Sequence, residues 1–284
     1  MYRVRSSRRE SRPTWRKTLK HLPQTANNRS MQSNHSLLYT AWKKLIQAYL
    51  VSLIISLVIG TLLVKAGLAP PETLFEASTR RISHALPVFD LGLRAGVDLG
   101  VLLFVWNVLG ALATLSFLYT ASLFNPDQLG LPPRGLRKVF CGSRRMKLLC
   151  YLPGCSKIEV ESLRRLYVWL MVPLLGIVLL GLESGLQVAT VGEISGSFLS
   201  AAVSLLPHGI VEIPIFTLAG AVTFSAHLRI RETAKQNLTR TVFQTLEVHR
   251  KAMPIKRMIW IVVCGLLLSG LVEAHITPYL MRLI

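Results

Sequence analysis

Along the chain, five mostly apolar stretches alternate with polar segments that are largely basic. The apolar runs lie at about 45–63, 93–124, 166–187, 198–226 and 258–276. A helix rises ~1.5 Å per residue, so ~20 apolar residues cross a hydrocarbon core of ~30 Å. Each run therefore predicts a membrane-spanning helix. The fold class expected is all-α, a polytopic transmembrane bundle of about five spans. The fourth run would measure ~43 Å as one straight helix, more than a crossing needs. It also contains Pro207-His208-Gly209. Proline removes a backbone donor and clashes with the preceding turn, and glycine is a weak helix former. The pattern thus predicts a break in the fourth helix at that point. Between the first two runs, residues 64–93 read as a loop with one short amphipathic helix around 72–86. The turn residues Asn125-Pro126-Asp127 close the second run.

Polar residues inside the runs carry the chemistry. His208 and Glu212 are four apart and share one helix face. Asn107 falls near the middle of the second run, and Glu273 past the middle of the fifth. Asp98, Glu183 and His275 lie nearer the span ends. Ionisable groups at membrane depth are costly, so they face a protein interior or a wet cavity. By position along each span, Glu212 meets Asn107 at one level. His208 and Glu273 meet ~6–7 Å further out. The expectation is a polar interior formed by spans two, four and five and opening to the outer face. A second reading keeps the same residues as interhelical hydrogen bonds that hold the bundle together. His208, Glu212, Glu273 and His275 offer nitrogen and oxygen donors, yet no His-Glu-x-x-His motif sets ligands and base. Nor is there a nucleophile elbow, phosphate-binding glycine loop or serine–lysine signature. No catalytic residue, metal or cofactor is expected, and the chain reads as non-enzymatic.

Charge decides the setting. The 284 residues are 51% hydrophobic, with 33 Lys/Arg against 14 Asp/Glu and a net charge of +19; the mean hydropathy is +0.45. In a soluble protein that excess suggests nucleic acid. Here the basic residues sit in blocks between apolar runs, so anionic lipid headgroups are the expected contact and nucleic acid is not. Segments 1–44, 126–165 and 227–257 hold 11, 9 and 8 of the 33, whereas 188–197 holds none. The positive-inside rule then places the chain in the cell membrane with a cytoplasmic amino terminus and an outside carboxyl terminus. Asn237-Leu238-Thr239 matches a glycosylation sequon but falls on the cytoplasmic side.

The domain reading is a basic tail at 1–44 and a transmembrane domain at 45–284. In the tail, Trp15, Leu19 and Leu22 share a face among basic residues, either as an interfacial helix or as part of a solvated segment. Arg8-Arg9 lacks the apolar core of a twin-arginine signal. Cys141, Cys150 and Cys155 lack zinc spacing and, with Cys264, read as reduced structural thiols. Gly176, Gly181 and Gly220 suit close helix packing, within one subunit or in a homo-oligomer.

Three pieces carry a resemblance: "LLPHGIVEIPIFTLAGA" at 205–221, "GLVEAHITP" at 270–278, and Asn107 within "FVWNVLG". Together they resemble the signature of the stage II sporulation protein M family of integral membrane proteins, over roughly 45–284. The basic tail and the cysteine-containing loop at 126–165 depart from it. The resemblance implies a polytopic helical protein. It also implies a scaffold role: in endospore formers the named member holds two peptidoglycan-degrading partners during engulfment and is not itself the hydrolase. Three functions follow as expectations. The first is a membrane scaffold or anchor with protein partners. The second is a permease-like component or translocator of lipid, ion or small solute around His208, Glu212 and Glu273. There a broken midplane helix would bind substrate, and the basic loops would dock a nucleotide-hydrolysing partner. The third and least favoured is an intramembrane metal-dependent enzyme.

Overall fold

The structure is a computed structural model and describes residues 24–125 and 158–282. The regular elements among them are helical, with no strand. In chain order they are α1 (Gln24–Lys65), α2 (Pro71–Ser83), α3 (Leu86–Arg94), α4 (Leu99–Thr120), α5 (Glu161–Ile194), α6 (Phe198–Lys235), α7 (Thr239–Ala252) and α8 (Ile255–Leu271). A 3-10 turn at Ala121–Phe124 after α4, a π turn at Val272–Ile276 and a last short helix, α9 (Thr277–Met281), complete the order. Five helices are long and apolar enough to cross a membrane: α1, α4, α5, α6 and α8 with its extension. Their boundaries differ from the apolar runs. α1 begins at Gln24, well before position 45, and α5 extends to Ile194. The second span starts at Leu99 rather than 93, because Gly96 adopts a left-handed φ of 77° and Asp98 caps α4. The tail residues Trp15, Leu19 and Leu22, and the cysteines Cys141, Cys150 and Cys155, lie outside the described residues.

The expected break in the fourth span is absent. α6 is one helix from Phe198 to Lys235 and runs straight through Pro207, Gly209 and Pro214. A proline forfeits one N–H bond, and in a bundle the neighbouring helices make good the loss. α6 has such neighbours along its length: it packs on α1, α4, α5 and α8. A separate bond, from the Trp42 indole N–H to the Pro214 carbonyl at 3.0 Å, ties α1 to α6.

α5 and α6 form the centre, and α1, α4 and α8 pack around them with apolar outer faces. On α1 the outward set includes Leu50, Ile54, Val58 and Leu62, each about half exposed or more. That arrangement suits lipid rather than water as the surrounding solvent. The tightest packing is between α1 and α5. Ser52, Ser56 and Gly60 on α1 face Gly181, Gly185 and Ala189 on α5, both rows at four-residue spacing. A Cβ on Gly185 would strike the Leu53 carbonyl oxygen and stand 2.8 Å from the Leu57 nitrogen, so the two backbones touch. The Ser56 hydroxyl donates to the Leu182 carbonyl at 2.6 Å. Small residues permit such contact, and dispersion plus the polar bond hold it without a hydrophobic driving force.

The basic end is tied together by residues of modest appearance. Asn237, in the left-handed region at φ 56°, turns the chain from α6 into α7. Its amide oxygen accepts from the Glu159 and Val160 N–H groups at 2.9 and 3.4 Å, satisfying donors just before α5. The sequon asparagine is therefore a structural clasp. α7 buries Val242, Phe243, Leu246 and His249 on one face. The Ser225 hydroxyl donates to the Val222 carbonyl at 2.8 Å, so it accepts from His249 Nε2–H at 3.0 Å. Burial first, and the Arg229 charge second, lower the His249 pKa to about 4. The ring is neutral at physiological pH.

Candidate functional site

The intramembrane polar residues meet at a cleft built from every spanning helix except the shaft of α8. One cavity, of about 360 Å³, is walled by Asn107 of α4, Glu183, Ser184 and Gln187 of α5, Gly209 and Glu212 of α6, and Glu273 of the π turn. Tyr49 of α1 closes one side, and Phe75 of α2 and Phe89 of α3 stand at the end away from α7. A second cavity, of about 390 Å³, continues past Gly110, Thr114, Pro173 and Phe216. The two share Trp106, Asn107, Leu180 and Glu212 as walls, so Asn107 and Glu212 stand at the junction.

Local chemistry explains why each group is there. Pro278 has no N–H to continue the α-helical ladder, and the preceding turn widens to π geometry. The Thr277 hydroxyl reaches back to the Val272 carbonyl at 3.3 Å. This single wide turn carries Glu273 into the cleft wall; such turns recur at functional positions. On α5, Leu180, Glu183, Ser184 and Gln187 follow helical spacing and present one face. On α4, Asn107 and Gly110 do the same. Large side chains, Trp106, Phe216 and Phe89 among them, hold the helices apart and leave the space unfilled.

The walls of both cavities carry three carboxylates, amides and hydroxyls. These polar groups stand in a low-dielectric setting, where electrostatic interactions are strong. The carboxylates line one space without converging: among the described residues, no three His, Cys, Asp or Glu groups come together as metal ligands would. The arrangement is equipped to accept and donate hydrogen bonds and to exchange protons.

Not every expected residue takes part. The backbone of Pro207 and His208 is helical, but their side chains lie outside the described residues. Asp98 serves as the α4 cap, accepting from the Gly100 N–H at 2.8 Å, with His275 Nε2 3.7 Å away. Neither forms the cleft wall. Glu183, placed near a span end by the hydropathy pattern, sits well inside α5 and is a cleft residue. Tyr49, Ser184 and Gln187 escaped sequence reasoning. Their signal, polar groups at i and i+3 on α5, is weak beside the charged residues.

A larger recess, of about 720 Å³, lies at the basic end between α4 and α7, beside Ser122, Arg240, Glu247 and Arg250. Glu247 is paired there with neighbouring cations. Arg250 and Lys251 bond Glu247 at 2.6 and 3.2 Å, and the Arg250 guanidinium lies 5.9 Å from the Tyr119 ring. Slight burial works against ionisation of Glu247, but the two cations outweigh it and lower its pKa.

Comparison with known proteins gives one match. The family model described as stage II sporulation protein M matches residues 139–278, a stretch holding Glu183, His208, Glu212 and Glu273 but neither Asn107 nor α1. That is narrower than the 45–284 suggested by the sequence pieces. No curated protein and no solved structure matches.

Proposed function

This chain belongs to the stage II sporulation protein M family, and from that premise we propose that it is a non-enzymatic, permease-like subunit that holds a ligand within the membrane. The observation that carries this reading is the cleft, where Glu183, Glu212, Glu273 and Asn107 from four elements wall one space. Carboxylates at that depth cost stability and are retained where they serve ions, protons or substrates. Helix interiors packed only for structure leave no such void. The chain carries no phosphate-binding loop of its own, so energy for transport would come from a partner or a gradient.

The test is direct. Glu212→Gln and Glu273→Gln, singly and together, are introduced into the native locus and into purified protein. Loss of function with folded yield retained supports the ligand role; unchanged function in the double variant removes it.

A scaffold reading has its own support. α3 buries none of its residues, and Leu86, Val88 and Leu91 lie exposed beside the α2–α3 connection. An amphipathic helix of this kind docks partners or rests in a headgroup layer. Crosslinking in native membranes followed by identification of co-purified proteins tests it. Orientation belongs to the same proposal: the excess of Lys/Arg in segments 1–44, 126–165 and 227–257 supports, by the positive-inside rule, a cytoplasmic α7 end and amino terminus. Cysteines placed on α3 and α7 and labelled from outside would react on α3 alone; labelling of α7 alone reverses the topology.

A further inference from the structure

α4 and α5 are pinned together near the basic end and stand apart beyond it. At the pin, the Trp169 indole N–H of α5 donates to the Phe117 carbonyl at 3.2 Å and to the Thr120 hydroxyl at 3.1 Å. Its ring stands edge-on to Phe117, 4.7 Å between centroids. Away from the pin lies the cavity of about 390 Å³, with Phe117 at one end and Phe216 of α6 behind. Asn107 and Glu212 stand where it meets the first cavity. Its mouth lies between Leu109 of α4, 59% exposed, and Gly176 of α5, also exposed. Both sit near the midpoints of their spans, Leu99–Phe124 and Glu161–Ile194. A gap at that level faces hydrocarbon and not water.

The walls have the make-up of a small-molecule site, mostly apolar with a few polar groups. Among the described residues, no group bonds the Asn107 amide. A polar side chain left without a partner at this depth is costly, and a ligand that supplies one recovers that cost. The amide both donates and accepts, so its complement is a neutral group that does both, a hydroxyl. The route selects in the same direction. A charged head arriving through hydrocarbon would first have to shed its hydration, whereas a hydroxyl gives up far less. We propose that the gap between α4 and α5 is a lateral entrance by which a long-chain alcohol reaches Asn107 from the bilayer, its hydroxyl on the amide and its chain between the two helices. This rests on the ligand-binding reading of the cleft and names the class of ligand and its way in.

The experiment uses the full chain in phosphatidylcholine nanodiscs and hexadecanol carrying a photoreactive diazirine at the chain end. Labelling of peptides from α4 and α5 should saturate. Excess unlabelled hexadecanol, or the plug Gly176→Trp, should cut it at least about tenfold. Asn107→Leu, which removes the partner of the hydroxyl, should weaken binding about fivefold. Hexadecane, with no head, and hexadecyltrimethylammonium, with a charged one, should not compete. Gly176→Leu serves as a smaller plug if the tryptophan variant folds poorly, and unfolding midpoints check every variant. Labelling that does not saturate, that is unchanged in a folded Asn107→Leu protein, or that either control displaces as well as hexadecanol does, overturns the proposal. The Glu212→Gln/Glu273→Gln double variant separates the two levels of inference. If labelling fails to saturate while the double variant loses function in the native locus, the lateral entrance falls and the cleft reading stands. If labelling fails and the double variant keeps its function, both fall.

Discussion

Two sides of one helix, α5, show what separates support from function in this bundle. On one side Gly181, Gly185 and Ala189 meet Ser52, Ser56 and Gly60 of α1 with backbones in contact. On the other, Leu180, Glu183, Ser184 and Gln187 face a cleft of about 360 Å³. The two faces interleave along the same stretch of sequence, one to three positions apart. Where every side chain is small, helices close until backbone meets backbone, and no room or water remains. Where tryptophan, phenylalanine and leucine act as spacers, the helices stand apart and polar groups can line the gap. The close-packed seam gives the open side a rigid wall, which a ligand site needs if its groups are to stay in place.

The comparison breaks first at the seam. Gly185→Leu forces α1 from α5, because even a Cβ there meets Leu53 and Leu57 backbone atoms. Stability should fall by about 3 kcal/mol or more, read from denaturation in detergent. The close-packed side extends to the basic end, where His249 is buried with a pKa of about 4. Between pH ~6.5 and ~4 the unfolded ring takes a proton that the folded ring refuses, so stability declines as pH falls and is unaffected above that window. The His249 share of the loss should reach at most about 3 kcal/mol by pH 4, seen as faster amide exchange in α7, and His249→Phe should remove that share.

On the cleft side, Glu212→Gln should leave stability within about 1 kcal/mol while ligand binding drops at least about tenfold. A stability loss above about 2 kcal/mol with binding intact would make the cleft a structural network instead. The smallest effect sharpens the contrast most. Gly176 lines the cleft with nothing within 4 Å of an added Cβ. Gly176→Ala should therefore be neutral or stabilising by up to about 1 kcal/mol, since alanine is the better helix former. An equal penalty at Gly176 and Gly185 would erase the distinction between the two sides.

Much of this was legible beforehand. Runs of apolar residues near twenty long announced five spans, and five helices answer to them. Asn107, Glu212 and Glu273 stood out because charge and amide groups are rare in such runs, and all three line the cleft. Other features were read too strongly or not at all. Pro207-His208-Gly209 suggested a break, yet α6 continues, because packing outweighs one lost hydrogen bond. Asn237 was read as an unused sequon, while its role is to satisfy N–H groups 77 and 78 positions away. The π turn at Glu273 left only the faint trace of Thr277-Pro278.

Composition and periodicity by themselves determined the number of spans, the class of fold and the rare polar positions within it. Those follow from transfer of single side chains between water and hydrocarbon, a cost counted residue by residue. Which face of α5 closes and which stays open was decided only in three dimensions. A gap between helices depends on the summed sizes of side chains from several distant segments, and no local pattern encodes that sum.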